Sequence, residues 1–89
     1  MNIDKDVLKE AISHWGIDAQ LGMIQEECAE LIVAINKWFR NSDGCKEMVI
    51  EELGDCLVMC YQGLEIFGED EVQKSIDKKI EIIKLRLKK

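Results

Sequence analysis

Gln25-Glu26-Glu27-Cys28-Ala29-Glu30-Leu31 is answered downstream by Glu51-Glu52-Leu53-Gly54-Asp55. Each half holds two acids three residues apart, Glu27/Glu30 and Glu52/Asp55, inside an apolar pattern of helical period. On a helix, residues three apart are neighbours, with Cβ atoms roughly 5–6 Å from one another. Two such helices packed together bring four carboxylates along one seam. Like charges that close repel, which raises their pKa values or draws in a counter-ion. A ligand set made only of oxygen suits hard divalent cations, Mg²⁺ above all and Mn²⁺ as a substitute. The remainder of the chain reads as the scaffold for that seam.

Upstream, Asp4 is positioned to cap a short first helix carrying Val7, Leu8, Ala11 and Ile12, which Gly16 closes in a left-handed conformation. Asp18 is the expected cap of a second helix running to about Arg40. Its residues Leu21, Ile24, Cys28, Leu31, Ile35 and Trp38 alternate steps of three and four, the seam of a helix bundle. Gln20, Met23, Glu27, Glu30, Ala34 and Lys37 lie along one flank of that seam, which puts the acids at the edge of the core. Downstream, Asn41-Ser42-Asp43-Gly44 is dense in turn formers, and Ser42 or Asp43 is the expected cap of a third helix from about Lys46 to Phe67. Val49, Leu53, Cys56, Leu57, Cys60, Leu64 and Phe67 make its stripe, with Glu52, Asp55 and Met59 on the flank. Gly54, inside this helix, costs about 1 kcal/mol relative to Ala, which close packing or ligand access would explain. Gly68-Glu69-Asp70 separates a fourth helix, with Val72, Ile76, Ile80, Ile83 and Leu87 at bundle spacing and lysines toward its C-terminus.

The expected fold is therefore all-α, a single domain over residues 1–89 built as an antiparallel bundle of four helices. A chain of 89 residues buries only a modest core. Apolar residues remain on second faces at Ile32, Val33, Ile50, Val58, Tyr61, Ile82 and Leu85, so the core is expected to be completed by oligomerisation. The net charge of −6 argues against an electrostatic grip on nucleic acid or an anionic membrane. It leaves room for a phosphorylated ligand, because bound metal inverts the local sign. No signal peptide or membrane-length apolar run is evident, and the four cysteines are read as reduced thiols of a cytoplasmic protein. Cys28, Cys56 and Cys60 point to the core face as small apolar groups; a zinc site built from them has no fourth ligand in view.

Glu26-Glu27-Cys28-Ala29-Glu30-Leu31, followed after twenty residues by Glu52-Leu53-Gly54-Asp55, resembles the EExxE…ExxD signature of the MazG-like, all-α nucleoside triphosphate pyrophosphohydrolases. His14-Trp15-Gly16…Gln20 and Ala34-Ile35-Asn36-Lys37-Trp38 are similar to the flanks of small single-domain members, so the resemblance spans roughly residues 13–64. It implies hydrolysis of a (deoxy)nucleoside triphosphate between the α and β phosphates. It also implies Mg²⁺ held by Glu27, Glu30, Glu52 and Asp55, the catalytic carboxylates, and a homodimer or homotetramer. Family members pack the base between helices near the acids. Gln20 is then expected to hydrogen-bond the base, Trp38 to stack on it, and Lys37 to meet a phosphate. Lys78 and Lys79 are further phosphate candidates from the last helix, though neither falls in a motif.

Blander readings exist for each residue. Acids three apart also occur on plain solvated helix faces, but two such pairs on adjoining helices weigh against that. A di-iron carboxylate bundle wants an ExxH on paired helices, and the one histidine, His14, lies outside both motifs. A lysine such as Lys37 is more often a snorkelling surface residue than a phosphate ligand, and Trp38 is more often a core or interface residue. The alternative function is a non-catalytic nucleotide-binding or adaptor module.

Overall fold

The computed structural model describes residues 1–40 and 45–88. It contains α1 (Lys5–Trp15), α2 (Ile17–Arg40), α3 (Cys45–Phe67) and α4 (Glu69–Leu87), and no strand among the described residues. The all-α architecture is that read from the apolar periodicity. The expected caps Ser42 and Asp43 lie outside the described residues.

Local chemistry sets the helix boundaries. Asp4 Oδ1 accepts from the backbone N–H groups of Asp6 at 3.1 Å and Val7 at 3.2 Å, satisfying two donors that the first turn leaves open. Gly16 donates to the Ile12 carbonyl at 2.8 Å and accepts from the Gln20 N–H at 3.2 Å, ending one helix and opening the next. Its φ of 93° and ψ of 157° lie outside the left-handed helical well expected for it, in a region that is essentially glycine's alone. Asp18 is not the cap of α2: the helix already starts at Ile17, and Asp18 sits within the first turn, where its charge complements the dipole. Gly68, at φ 106°, makes the same kind of sharp passage between α3 and α4. Gly16→Ala is expected to destabilise the protein by about 1–3 kcal/mol, read as a lower urea midpoint, whereas Ala at Gly22, a helical position with open space around it, should not.

The α2–α3 hairpin forms the body, and α1 packs against both of its helices. The buried residues are Leu8, Gln20, Ala34, Cys56, Met59 and Gln62. This differs from the expected seam. On α2 the inward face is centred between the two stripes, so Gln20 and Ala34 are buried while Ile35 and Trp38 open to solvent. On α3, Leu53 and Phe67 are likewise exposed. Glu27 and Glu52 are half-buried between the helices while Glu30 and Asp55 are exposed, so the acids straddle the edge of the inter-helix face. The physical reason is that α2 and α3 are apolar on more than one side, so periodicity alone leaves the rotation of each helix undetermined.

α4 packs only against α3 and has no buried residue. One ion pair, Lys5 Nζ to Glu69 Oε1 at 3.2 Å, ties its start to α1, and being solvent-exposed it contributes about 0–1 kcal/mol. Ile76, Ile80, Ile83 and Leu87 keep the bundle spacing read from the sequence, yet all four are exposed in the single chain.

Candidate active site

The hairpin brings Glu27 of α2 together with Glu52 and Asp55 of α3. One carboxylate oxygen from each lies within 4.8 Å of the others. Glu27 Oε2 and Glu52 Oε2 are buried with no hydrogen-bond partner among the described residues. An unpaired buried oxygen of this kind loses its water without compensation. Burial is the first cause that pushes the Glu27 carboxyl above its ordinary range, followed by the charges of Glu30, Asp55 and Glu26. Glu52 is pushed up in the same way, by burial first and then by Glu30, Asp55 and Glu27, with a hydrogen bond to Glu30 adding to the shift. Glu30 thus acts electrostatically on both residues while staying outside the three-oxygen group, exposed on the next turn of α2.

These are the features a cation site requires: clustered anionic oxygens, two of them stripped of water and left without donors. A divalent ion bound here would supply the missing partner for both. The donor set is oxygen throughout, so a hard ion of the Mg²⁺ or Mn²⁺ kind fits it. Gly54, next to Asp55, faces open space, so packing within this chain does not explain it.

Two hollows meet beside the acids. A notch of ≈ 230 Å³ is lined by Glu27, Asp55, Val58 and Met59. A larger cleft of ≈ 420 Å³ is lined by Trp15, Ala19, Gln20, Met23, Met59 and Gln62, so the buried Met59 belongs to both. The cleft is mostly apolar, with two buried amides, and Gln62 Oε1 has no partner among the described residues. Gln62 is not among the residues the sequence singles out. A signal for it exists, because the flank Glu52, Asp55, Met59 reaches Gln62 one turn later.

Of the other candidates, Gln20 lies in this cleft and Trp38 does not. Trp38 lines a separate groove with Ile35, Lys46, Val49 and Ile50, about 27 Å along the helix axis from Gln20 at 1.5 Å per residue. Lys37 is exposed near the same end. Lys78 lies on α4 in a shallow groove with Lys74, Asp77, Glu81 and Ile82, away from the acids. Behind the carboxylates, Cys28 and Cys56 approach at 3.4 Å between sulfurs. The hydrogen bond with Cys28, burial and the neighbouring Cys60 push the Cys56 thiol up to about 12, so it adds no negative charge to the acid patch.

A helical hairpin that gathers acids from both arms beside an amide-bearing cleft makes this an all-α protein with a candidate cation site. Residues 16–84 match the MazG nucleotide pyrophosphohydrolase domain, and the chain belongs to that family. No curated protein and no solved structure matches the chain. Among the described residues, no helix is long and apolar enough to cross a membrane.

Proposed function

We propose that this protein hydrolyses a (deoxy)nucleoside triphosphate between the α and β phosphates, releasing the monophosphate and pyrophosphate in a Mg²⁺-dependent reaction. The observation that carries the reading is the pair of buried, partnerless oxygens on Glu27 and Glu52, facing each other across α2 and α3 beside Asp55. Glu27, Glu52 and Asp55 hold the ion. When bound, the ion supplies positive charge against the polyphosphate and activates water. Glu30, outside the three-oxygen group but coupled to Glu52, is the carboxylate left to take the proton of the attacking water.

The cleft sharing Met59 with the acidic notch receives the nucleoside. Its volume falls in the range of about 300–1,000 Å³ usual for small-molecule sites. Gln20 and Gln62 offer amide donors and acceptors to a base edge, and Trp15 offers a face for stacking. Lys37, two turns beyond Glu30, serves the phosphate tail. The exposed face of α4 is covered by a second copy of the chain, giving a homodimer or a homotetramer built from two dimers; sedimentation at micromolar concentration should show no stable monomer. The setting is an intracellular nucleotide pool.

Gln62→Leu separates the nucleoside reading from a structural role. In the free protein it removes a buried acceptor without a partner, so stability should hold or rise by about 1 kcal/mol. With nucleotide present, KM should rise roughly tenfold as one amide contact is lost. A fall in stability with an unchanged KM would remove Gln62 from the site.

The deciding experiment is a panel of ribo- and deoxyribonucleoside triphosphates with Mg²⁺, reading pyrophosphate. Release from at least one nucleotide, abolished by chelator, supports the proposal. Nucleotide binding without pyrophosphate would mark a regulatory binder, and no heat on Mg²⁺ titration would mark an adaptor module; either overturns it.

A further inference from the structure

We propose that Cys28, Cys56 and Cys60 form a second, chemically distinct metal site, one for a thiophilic d¹⁰ cation of the Zn(II) type. It is independent of the nucleotide reaction, and nothing in the carboxylate chemistry requires it. The three sulfurs lie within 4.8 Å of one another, with Cys28 to Cys56 at 3.4 Å and Cys56 to Cys60 at 4.0 Å. A Zn–S bond of about 2.3 Å in tetrahedral geometry spaces its sulfurs at about 3.8 Å. The observed separations bracket that figure, so small side-chain rotations close the site without moving a helix.

Simple packing accounts for Cys56, which is buried, but not for Cys60, which is exposed. That exposure provides what a pure core cluster lacks: an entry path, and an open fourth position for water. The sequence offers no fourth protein ligand, and solvent at Cys60 makes one unnecessary. Charge selects the ion. Three thiolates leave a net charge of −1 around Zn(II) and −2 around Cu(I), and the neighbouring carboxylates penalise the more negative complex. On binding, each thiol passes its proton to solvent and a sulfur–metal bond takes the place of the S–H bond.

Glu27 and Cys28 are adjacent on α2, as are Asp55 and Cys56 on α3, so the hairpin presents oxygen and sulfur faces side by side. Hard ions partition to one and soft ions to the other. The sulfur site would brace α2 against α3 directly behind the acids.

The test is titration of the full, phosphine-reduced chain with Co(II), in excess Mg²⁺ so that the oxygen site is filled. A thiolate-to-cobalt charge-transfer band that saturates at one equivalent and is bleached by Zn(II) is expected. Cys56→Ser should abolish the band, and Cys45→Ser should leave it intact. Because Cys56→Ser also buries a hydroxyl, the decisive variant is Cys60→Ala, at an exposed position and with helicity checked by circular dichroism. Its Co(II) affinity should fall roughly tenfold or more. Absence of the band in the unsubstituted chain, or unchanged affinity in Cys60→Ala, overturns the proposal.

Discussion

Glu52→Gln is expected to lower pyrophosphate release by about 10²–10³-fold, the range found when one group that stabilises transition-state charge is removed. Glutamine keeps the volume of the side chain and removes a charge that is already disfavoured by its surroundings, where burial and three neighbouring acids raise the Glu52 pKa. The fold should therefore survive, and the loss should appear as weaker Mg²⁺ binding together with lower turnover. Glu30→Gln distinguishes the roles within the site. Glu30 stands outside the three-oxygen group, so its variant should keep most of the Mg²⁺ affinity while losing turnover to a similar extent. Equal loss of metal binding in both variants would make Glu30 a ligand instead of the base. Full activity in Glu52→Gln would remove the site altogether.

The same electrostatics sets how stability depends on pH. Glu27 and Glu52 have pKa values raised above 4.5 in the folded protein, so the native state holds their protons more tightly than the unfolded chain. Their contribution is fully present below the unfolded value of about 4.5 and is lost as pH rises through the raised folded values. In chelator, the share of stability owed to these two groups should thus fall as pH rises from about 4.5 through the raised folded values. Mg²⁺ bound as proposed should reverse this once the carboxylates lose their protons. At 100 times its Kd, a ligand of the native state adds about 2.7 kcal/mol, which for a domain of this size raises Tm by about 10 °C or more. Near pH 4.5 protons hold the same oxygens, and the Mg²⁺ shift should shrink accordingly. Scanning calorimetry across that range, with and without Mg²⁺, checks both signs. A Mg²⁺ shift independent of pH would mean that the ion binds elsewhere.

Much of the fold is legible in the sequence because the signals are local. Asp4 and Gly16 mark ends that a few backbone hydrogen bonds determine, and Gly68 marks another. The acid pairs are visible because a spacing of three has one meaning on a helix. Rotation of the helices is less legible. A rule that sends apolar residues inward places Trp38 and Leu53 in the core and Gln20 at its edge, and the structure does the reverse. The inward face is chosen by the fit of two helices against each other, which neither helix encodes alone. Gln62 lies one turn beyond Met59 on the acid flank, a signal that its burial makes plain only once α2 and α3 are seen together. The three cysteines are legible as residues of one core face, but the 3.4 Å approach of Cys28 to Cys56, 28 positions apart, depends on how the two helices meet.

The thin attachment of α4 carries a consequence for exchange with heavy water. Its 19 residues rest on one neighbour, and an isolated helix not much longer than about 12–15 residues is marginal in water. The amides of this segment should therefore trade their hydrogens through local fraying, well before the α2–α3 hairpin opens. On the proposed oligomer, in which a second copy covers α4, raising the protein concentration should slow exchange in that helix.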